Sequence, residues 1–283
     1  MKDQPRRYAT AAAFRVALEA RLKTISASEG TDLQRLRRQV SFDRLLARLF
    51  SERHAPWLLK GGYAMELRLS KARTTKDVDI SLPANAVAEF GREVLKRLQG
   101  SARTDLGDFF AFVIGDPQMD LKAAPQGGTR YPVTAFLAGR VFTKFHLDIG
   151  VGDPVVLPTE LIAGRDWLGF AGISAPSFMA ISKEQQFAEK LHAYTLPRPD
   201  SRNSRVKDLV DMVLLLQMGT MDAVILKRAI HTTFDLRATH PVPKVLLEPP
   251  DSWILPFTAL MKECRLEMTL KDALKLINQT PVS

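Results

Sequence analysis

The chain has 283 residues, 46% hydrophobic and 25% charged, which is the balance of a globular protein and not of a disordered or collagen-like one. No apolar run approaches the roughly 18 residues of a membrane-spanning helix, and the single cysteine, Cys264, argues against a disulfide framework or a multi-cysteine zinc site. Lysine and arginine number 40 against 31 acidic residues, a formal charge of +9 that favours a polyanionic partner, nucleic acid being the commonest.

The charged opening, Met1–Arg7, lacks the apolar segment of a secretory leader, so the cytoplasm is the expected compartment. Thr10 to Lys23 places Phe14, Ala17, Leu18 and Leu22 at helical spacing. Gly30 and Thr31 break that pattern, and Asp32 is placed to cap a second helix running to about His54. Its apolar stripe is Leu33, Leu36, Val40, Leu45, Leu49 and Phe50. Its other face carries Arg35, Arg37, Arg38, Arg44, Arg48 and Arg53, the densest basic run in the chain, expected to be either a solvated face or a phosphate-contact face.

From Trp57 to about Gly152 short apolar runs alternate with turns. Strands are expected at 57–59, 78–82, 109–114, 131–137 and 141–149, and helices at 62–69 and 84–98. Pro154–Pro176 reads as an irregular connection. Helices are then expected at 182–195, 204–218, 222–232, 252–263 and 269–279, with a Pro-broken polar loop over 196–204. The organisation is therefore N-terminal helices over 1–55, a mixed α/β core over 56–176 and a helical C-terminal part over 177–283.

The chemistry concentrates in Leu58-Leu59-Lys60-Gly61-Gly62-Tyr63-Ala64-Met65 and Thr74-Thr75-Lys76-Asp77-Val78-Asp79-Ile80. Glycines at a strand-to-helix turn let backbone N–H groups approach a phosphate, and the helix N-terminus adds partial positive charge. Asp77 and Asp79, two apart on a strand, leave the same face. Two adjacent carboxylates repel unless a cation lies between them, and Mg²⁺ suits oxygen ligands and substrate phosphates. Asp148 shares a face with His146 on a later strand and is placed to complete a metal site or to act as general base. Lys190 lies on a helix whose apolar face is Phe187 and Leu191. Asp208 and Asp211, three apart, neighbour one another on a helix face, and Arg205 is placed to pair with Asp208. The other four histidines, His54, His192, His231 and His240, form no metal-ligand spacing, and Trp57 and Cys264 read as core.

The ordered set Lys60-Gly61-Gly62-x-Ala64, Thr75-x-Asp77-x-Asp79, Lys190 and Arg205-Val-Lys-Asp208-Leu-Val-Asp211 resembles the AbiEii/AbiGii toxin family. That family includes the MenT toxins and lies within the DNA polymerase β nucleotidyltransferase superfamily. The resemblance spans about residues 55 to 218. It implies an α+β fold: a mixed-sheet nucleotidyltransferase core with N-terminal helices and a helical C-terminal domain. It also implies Mg²⁺ (or Mn²⁺) held by Asp77, Asp79 and Asp148, and an NTP held by Lys60, Gly61, Gly62, Thr75 and Lys190. Asp208 and Asp211 become further catalytic candidates; the sequence does not choose between them, Asp208 standing first because it follows Lys207. Where a wider group of relatives has Ser at the turn, Gly62 leaves the phosphate to backbone N–H groups.

The implied activity is transfer of NMP, from a pyrimidine triphosphate, to the 3′ end of tRNA, blocking aminoacylation and translation. The implied partners are tRNA and a cognate antitoxin, with a monomer when free. Arg35, Arg38, Arg73, Lys76, Arg202 and Arg205 are the expected RNA contacts. Two alternatives stand beside this expectation: modification of a protein hydroxyl, on the antitoxin or the chain itself, and a non-catalytic basic RNA-binding module.

Overall fold

The structure is a computed structural model of the chain, and it describes residues 8–69, 72–90, 93–121, 125–197, 205–218 and 220–280. Helix α1 (Ala11–Glu29) starts where Thr10 accepts a hydrogen bond from the Ala13 N–H and ends at Gly30, whose φ of 64° closes it in the left-handed region. Helix α2 (Leu33–Leu49) is capped by Asp32, as its spacing predicts, but stops short of His54. Phe50 N–H closes onto Leu46, Ser51 folds back on the Arg48 carbonyl, and the Phe50 ring packs edge-on against Phe178, so the chain leaves the helix there.

The remaining elements are β1 (Leu58–Lys60), α3 (Gly61–Arg68), β2 (Asp77–Leu82), α4 (Val87–Phe90), α5 (Val94–Ala102), β3 (Phe110–Ile114), β4 (Met119–Asp120), β5 (Gly128–Leu137), β6 (Arg140–Val151), β7 (Glu160–Ala163), β8 (Ser177–Ala180), α6 (Lys183–Thr195), α7 (Val206–Met218), α8 (Ala223–Arg237), α9 (Ile254–Glu263) and α10 (Leu270–Asn278). The single helix expected over 84–98 is instead a 3₁₀ turn at Ala84–Ala86 followed by α4 and α5. Glu93, at φ −129° and ψ 34°, lies outside helical dihedrals and restarts the helix.

All the described strands form one mixed sheet in the order β3-β5-β6-β2-β1-β8-β7, with β4 beside β5. Two pairs, β2–β6 and β1–β8, are parallel; the others are antiparallel. The β5–β6 hairpin turns on Ala138 and Gly139, both at positive φ, as a two-residue hairpin with right-handed twist requires. Strands β7 and β8 fall within and just after the stretch expected to be an irregular connection. They become strands by pairing: Phe178 is fully buried, and Ala180 stands beside Leu59 of β1.

Two apolar cores hold the molecule. The first joins α1, α2 and the sheet, with Phe14, Leu36, Phe42, Trp57, Tyr63, Ile80 and Leu147 at its centre. The second is built by α6 to α10 around Phe187, Leu214, Ile230 and Phe257, and Met65 of α3 and Leu69 just after it belong to it. Cys264 is buried there, as expected. Helix α3 thus reaches both cores, and the Gly61-Gly62 turn at its start lies between the sheet and the C-terminal helices.

Most of the arginine run on α2 is paired with acids. Arg44 and Arg48 are buried and both grip Asp108, Arg48 with two bonds of 2.6 and 2.9 Å. Arg37 pairs with Glu19 at 2.7 Å and Arg35 with Glu66 at 3.1 Å. The expected basic surface is therefore largely an internal ion-pair ladder, because acids distant in sequence fold against it. Among the described residues no helix is long and apolar enough to cross a membrane.

Candidate active site

β2 and β6 run parallel in a register that sets Asp77 beside His146 and Asp79 beside Asp148. Side chains alternate faces along a strand, so three carboxylates share the sheet face away from Val78, Ile80 and Leu147, which enter the core. Opposite Asp79, β1 hands over to α3 through Gly61, at φ 68°. A Cβ on Gly61 would lie 2.1 Å from Asp79 Oδ2, and one on Gly62 would lie 2.6 Å from Thr75 Oγ1. Both glycines are thus demanded by close approach, Gly61 also by its backbone conformation. No side chain caps the α3 N-terminus.

A cleft of about 300 Å³ opens over this turn, walled by Lys60, Gly61, Asp79 and Asp148 on the sheet side and by Gln186, Lys190, Asp208 and Arg237 on the helical side. Burial and the neighbouring Asp148 push the Asp79 carboxyl up to about 6, against the pull of Lys190 and Lys60. Lys190 meets Asp208 at 2.9 Å and Asp211 at 2.8 Å. Burial opposes its charge, but Asp211 and Asp208 outweigh burial and hold the ammonium well above the usual lysine range. Lys60 pairs with Asp153 and with Glu189, the latter at 3.5 Å, and is likewise held protonated against burial. Gln186 Nε2 donates to the Gly61 carbonyl at 2.7 Å and ties α6 to the turn.

The structure separates Asp208 from Asp211. Asp208 lines the cleft, where Arg205 approaches it at 3.5 Å. Asp211 is fully enclosed between Lys190 and Arg73, which donates to it at 2.8 and 2.7 Å. Arg73, an expected RNA contact, is therefore enclosed beside Asp211, while Arg35, another, bonds Glu66 and the Ala72 carbonyl and keeps a fifth of its side chain exposed. Arg38 and Lys76 stay on the surface beside Asp77, Arg205 lines the cleft, and Arg202 lies outside the described residues. Thr75 donates to the Asp77 carbonyl at 3.3 Å, while its own N–H is held by Glu66.

Arg130, on β5, was not among the sequence-derived candidates. Its guanidinium grips Asp148 at 2.8 and 2.7 Å and reaches Asp77 at 3.3 Å, while His146 Nδ1 lies 3.2 Å from Asp77. Among the described residues no group of three His, Cys, Asp or Glu side chains is arranged to hold a metal ion. Of the three carboxylates expected to hold a metal, Asp148 and Asp77 both meet Arg130, Asp148 more closely. Asp77 and Asp79 by themselves fit a hard divalent cation, since Mg²⁺ commonly takes one or two carboxylates and completes its shell with water and substrate phosphates. Asp153, Glu189, Gln186 and Arg237 also escaped the sequence reading, because their roles depend on partners far along the chain.

Residues 44–274 match the model of the nucleotidyl transferase AbiEii toxin family, a type IV toxin–antitoxin system. No curated protein sequence matches the chain. Among solved structures, the MenT4 nucleotidyltransferase toxin of Mycobacterium tuberculosis superposes with a TM-score of 0.56 at 15% identity, over 91% of this chain and 93% of that one. JHP933 of Helicobacter pylori is 15% identical over 87% of this chain and 92% of its own, with a TM-score of 0.43. The first of these shares the fold described above.

Proposed function

The chain belongs to the AbiEii family of nucleotidyl transferase toxins, and on that premise we propose that it transfers NMP from a pyrimidine nucleoside triphosphate to the 3′ hydroxyl of tRNA with the help of Mg²⁺. The observation that carries this reading is the register of β2 and β6, which sets Asp77, Asp79 and Asp148 on one face, against a turn whose first glycine has no room for a side chain. The formal charge of +9 supports a nucleic-acid acceptor. The pyrimidine preference and the tRNA acceptor rest on the resemblance to the MenT group.

Asp77 and Asp79 would hold the divalent cation, which when bound offsets the charge of the triphosphate and of the reacting oxygens. The N–H groups at the start of α3 face the phosphates, and the helix dipole adds to their pull. Lys190 supplies a fixed positive charge at the cleft wall, oriented by Asp208 and Asp211. The acceptor oxygen forms a bond to the α-phosphorus as the bond from that phosphorus to the bridging oxygen breaks. Pyrophosphate leaves with the electron pair, and the hydroxyl proton passes to the Asp148 carboxylate. The products are pyrophosphate and a tRNA extended by one nucleotide, which cannot be aminoacylated. In this reading the protein acts in the cytoplasm as a monomer, and a cognate antitoxin counters it.

The test is to incubate the protein with total tRNA, Mg²⁺ and each α-labelled NTP in turn, then to separate RNA from protein. A labelled tRNA band with CTP or UTP is expected. Label on protein alone would replace the acceptor by a protein hydroxyl, and no label with either Mg²⁺ or Mn²⁺ would overturn the reading.

A further inference from the structure

β6 outruns its neighbour. The β2–β6 ladder begins with Asp77 beside His146, so residues 140–145 of β6 have β5 on one side and, among the described residues, no strand on the other. The step leaves a notch of about 660 Å³ bounded by Arg38, Lys76, Asp77, Arg130, Lys144 and His146. Asp77 lines this notch, while Asp79, two residues on, lines the cleft. The two cavities therefore meet at the carboxylate strand.

Their electrostatics differ. In the cleft, Lys60, Lys190 and Arg237 each have an acid within 4.0 Å. In the notch, Arg38, Lys76 and Lys144 form no ion pair with any described residue, and the Arg38 Nε is buried without a hydrogen-bond partner. Cations that no acid pairs with repel one another and favour a polyanion that neutralises them. Lys144, His146 and Asp148 share one face of β6, which places Lys144 about 14 Å from Asp148 along the strand. The Phe145 ring at the notch is only 5% exposed because it packs on Phe42, so the ring offered to a base there is His146, whose side chain is 41% exposed.

We propose that this notch is the acceptor track: the single-stranded 3′ end of an RNA lies along it, with phosphates on Arg38, Lys76 and Lys144 and the terminal hydroxyl at Asp77. The triphosphate then occupies the cleft on the Asp79 side. Recognition is by charge, without regard to base identity. The inference rests on the reading that the acceptor is an RNA end.

The test uses the full chain and a fluorescent RNA hairpin with or without a single-stranded 3′ overhang, read as Kd against salt. Lys144→Gln and Arg38→Gln should each weaken overhang binding by about three- to tenfold and reduce the salt slope by about one. Both should leave the Kd for NTP unchanged, and Lys271→Gln on α10, an exposed site, should change neither. A 4-thiouridine at the 3′ terminus should cross-link to the peptide containing residues 144–148. Wild-type affinity and slope in both variants, or equal binding of the blunt hairpin, would overturn the track even if tRNA is the acceptor. Label on protein in the transfer assay would sink the RNA reading separately, and a wild type that binds no overhang RNA would sink both.

Discussion

Arg130 and Asp148 stand opposite one another across the β5–β6 pair, joined by bonds of 2.8 and 2.7 Å, and the same guanidinium reaches Asp77. One cation of the protein's own thus sits among three carboxylates. Arg130→Gln removes that competing charge, at an interaction strength of a few kcal/mol over such distances. The variant should bind Mn²⁺ at least about tenfold more tightly without nucleotide, measured by titration calorimetry. It should also transfer more slowly, because Asp148 loses the side chain that orients it. Unchanged Mn²⁺ affinity would show that Arg130 does not hold the carboxylates against a cation.

Asp79 carries a stability cost that function retains. Its carboxyl is raised from 3.8 to about 6, chiefly by burial and then by Asp148. An acid raised on folding costs nothing below its unfolded value, an increasing amount as pH climbs toward 6, and the full amount above. Asp79→Asn, in the presence of EDTA, should therefore be more stable than wild type at pH 8, by about 1–2 kcal/mol after allowing for partial solvent screening, with the difference vanishing toward pH 4. The same variant should have no transferase activity. Thermal melts across pH check the first claim; a pH-independent difference would refute it.

Gly61 is fixed by both conformation and space. Alanine there adopts φ 68° at a cost of about 1–2 kcal/mol and drives a methyl into the Asp79 carboxylate. Gly61→Ala should fold, melt a few degrees lower and lose transfer by at least about a hundredfold, the size of effect expected when reacting groups shift by about 1 Å. A variant retaining wild-type kcat would show that Asp79 moves without penalty.

Arg73 and Asp211 tie the loop before β2 to helix α7, with both side chains nearly enclosed. Removing one partner of such a pair leaves the other charge buried, which costs about 3–5 kcal/mol. Arg73→Met should lower the unfolding free energy by that amount in urea melts. Asp211→Asn should do the same and also release Lys190, raising KM for NTP. If Arg73 served RNA instead, the substitution would weaken RNA binding and leave stability unchanged.

Much of this was legible in the sequence, for a local reason. Alternation with period two showed that Asp77 and Asp79 share a face and that His146 and Asp148 share another strand's face. The Gly61-Gly62 pair announced a turn of unusual closeness, and α6 to α10 appear near the spans that their periodicity predicts. Each of these features is written within a few residues of chain.

Register and burial were decided elsewhere. The β5–β6 turn alone would bring Thr129 opposite Asp148; an extra residue at Phe142, between the pairs Phe136–Val141 and Ala135–Thr143, shifts the ladder by one and brings Arg130 there instead. Arg44 and Arg48 read as surface because their acid, Asp108, lies some sixty residues away and meets them only after the chain has folded back. A helix or strand pattern depends on bonds and neighbours within a turn or two, so sequence determines it. Which distant charge ends beside which, and which arginine is left open to a ligand, depends on the close packing of whole elements, and only the tertiary structure settles that.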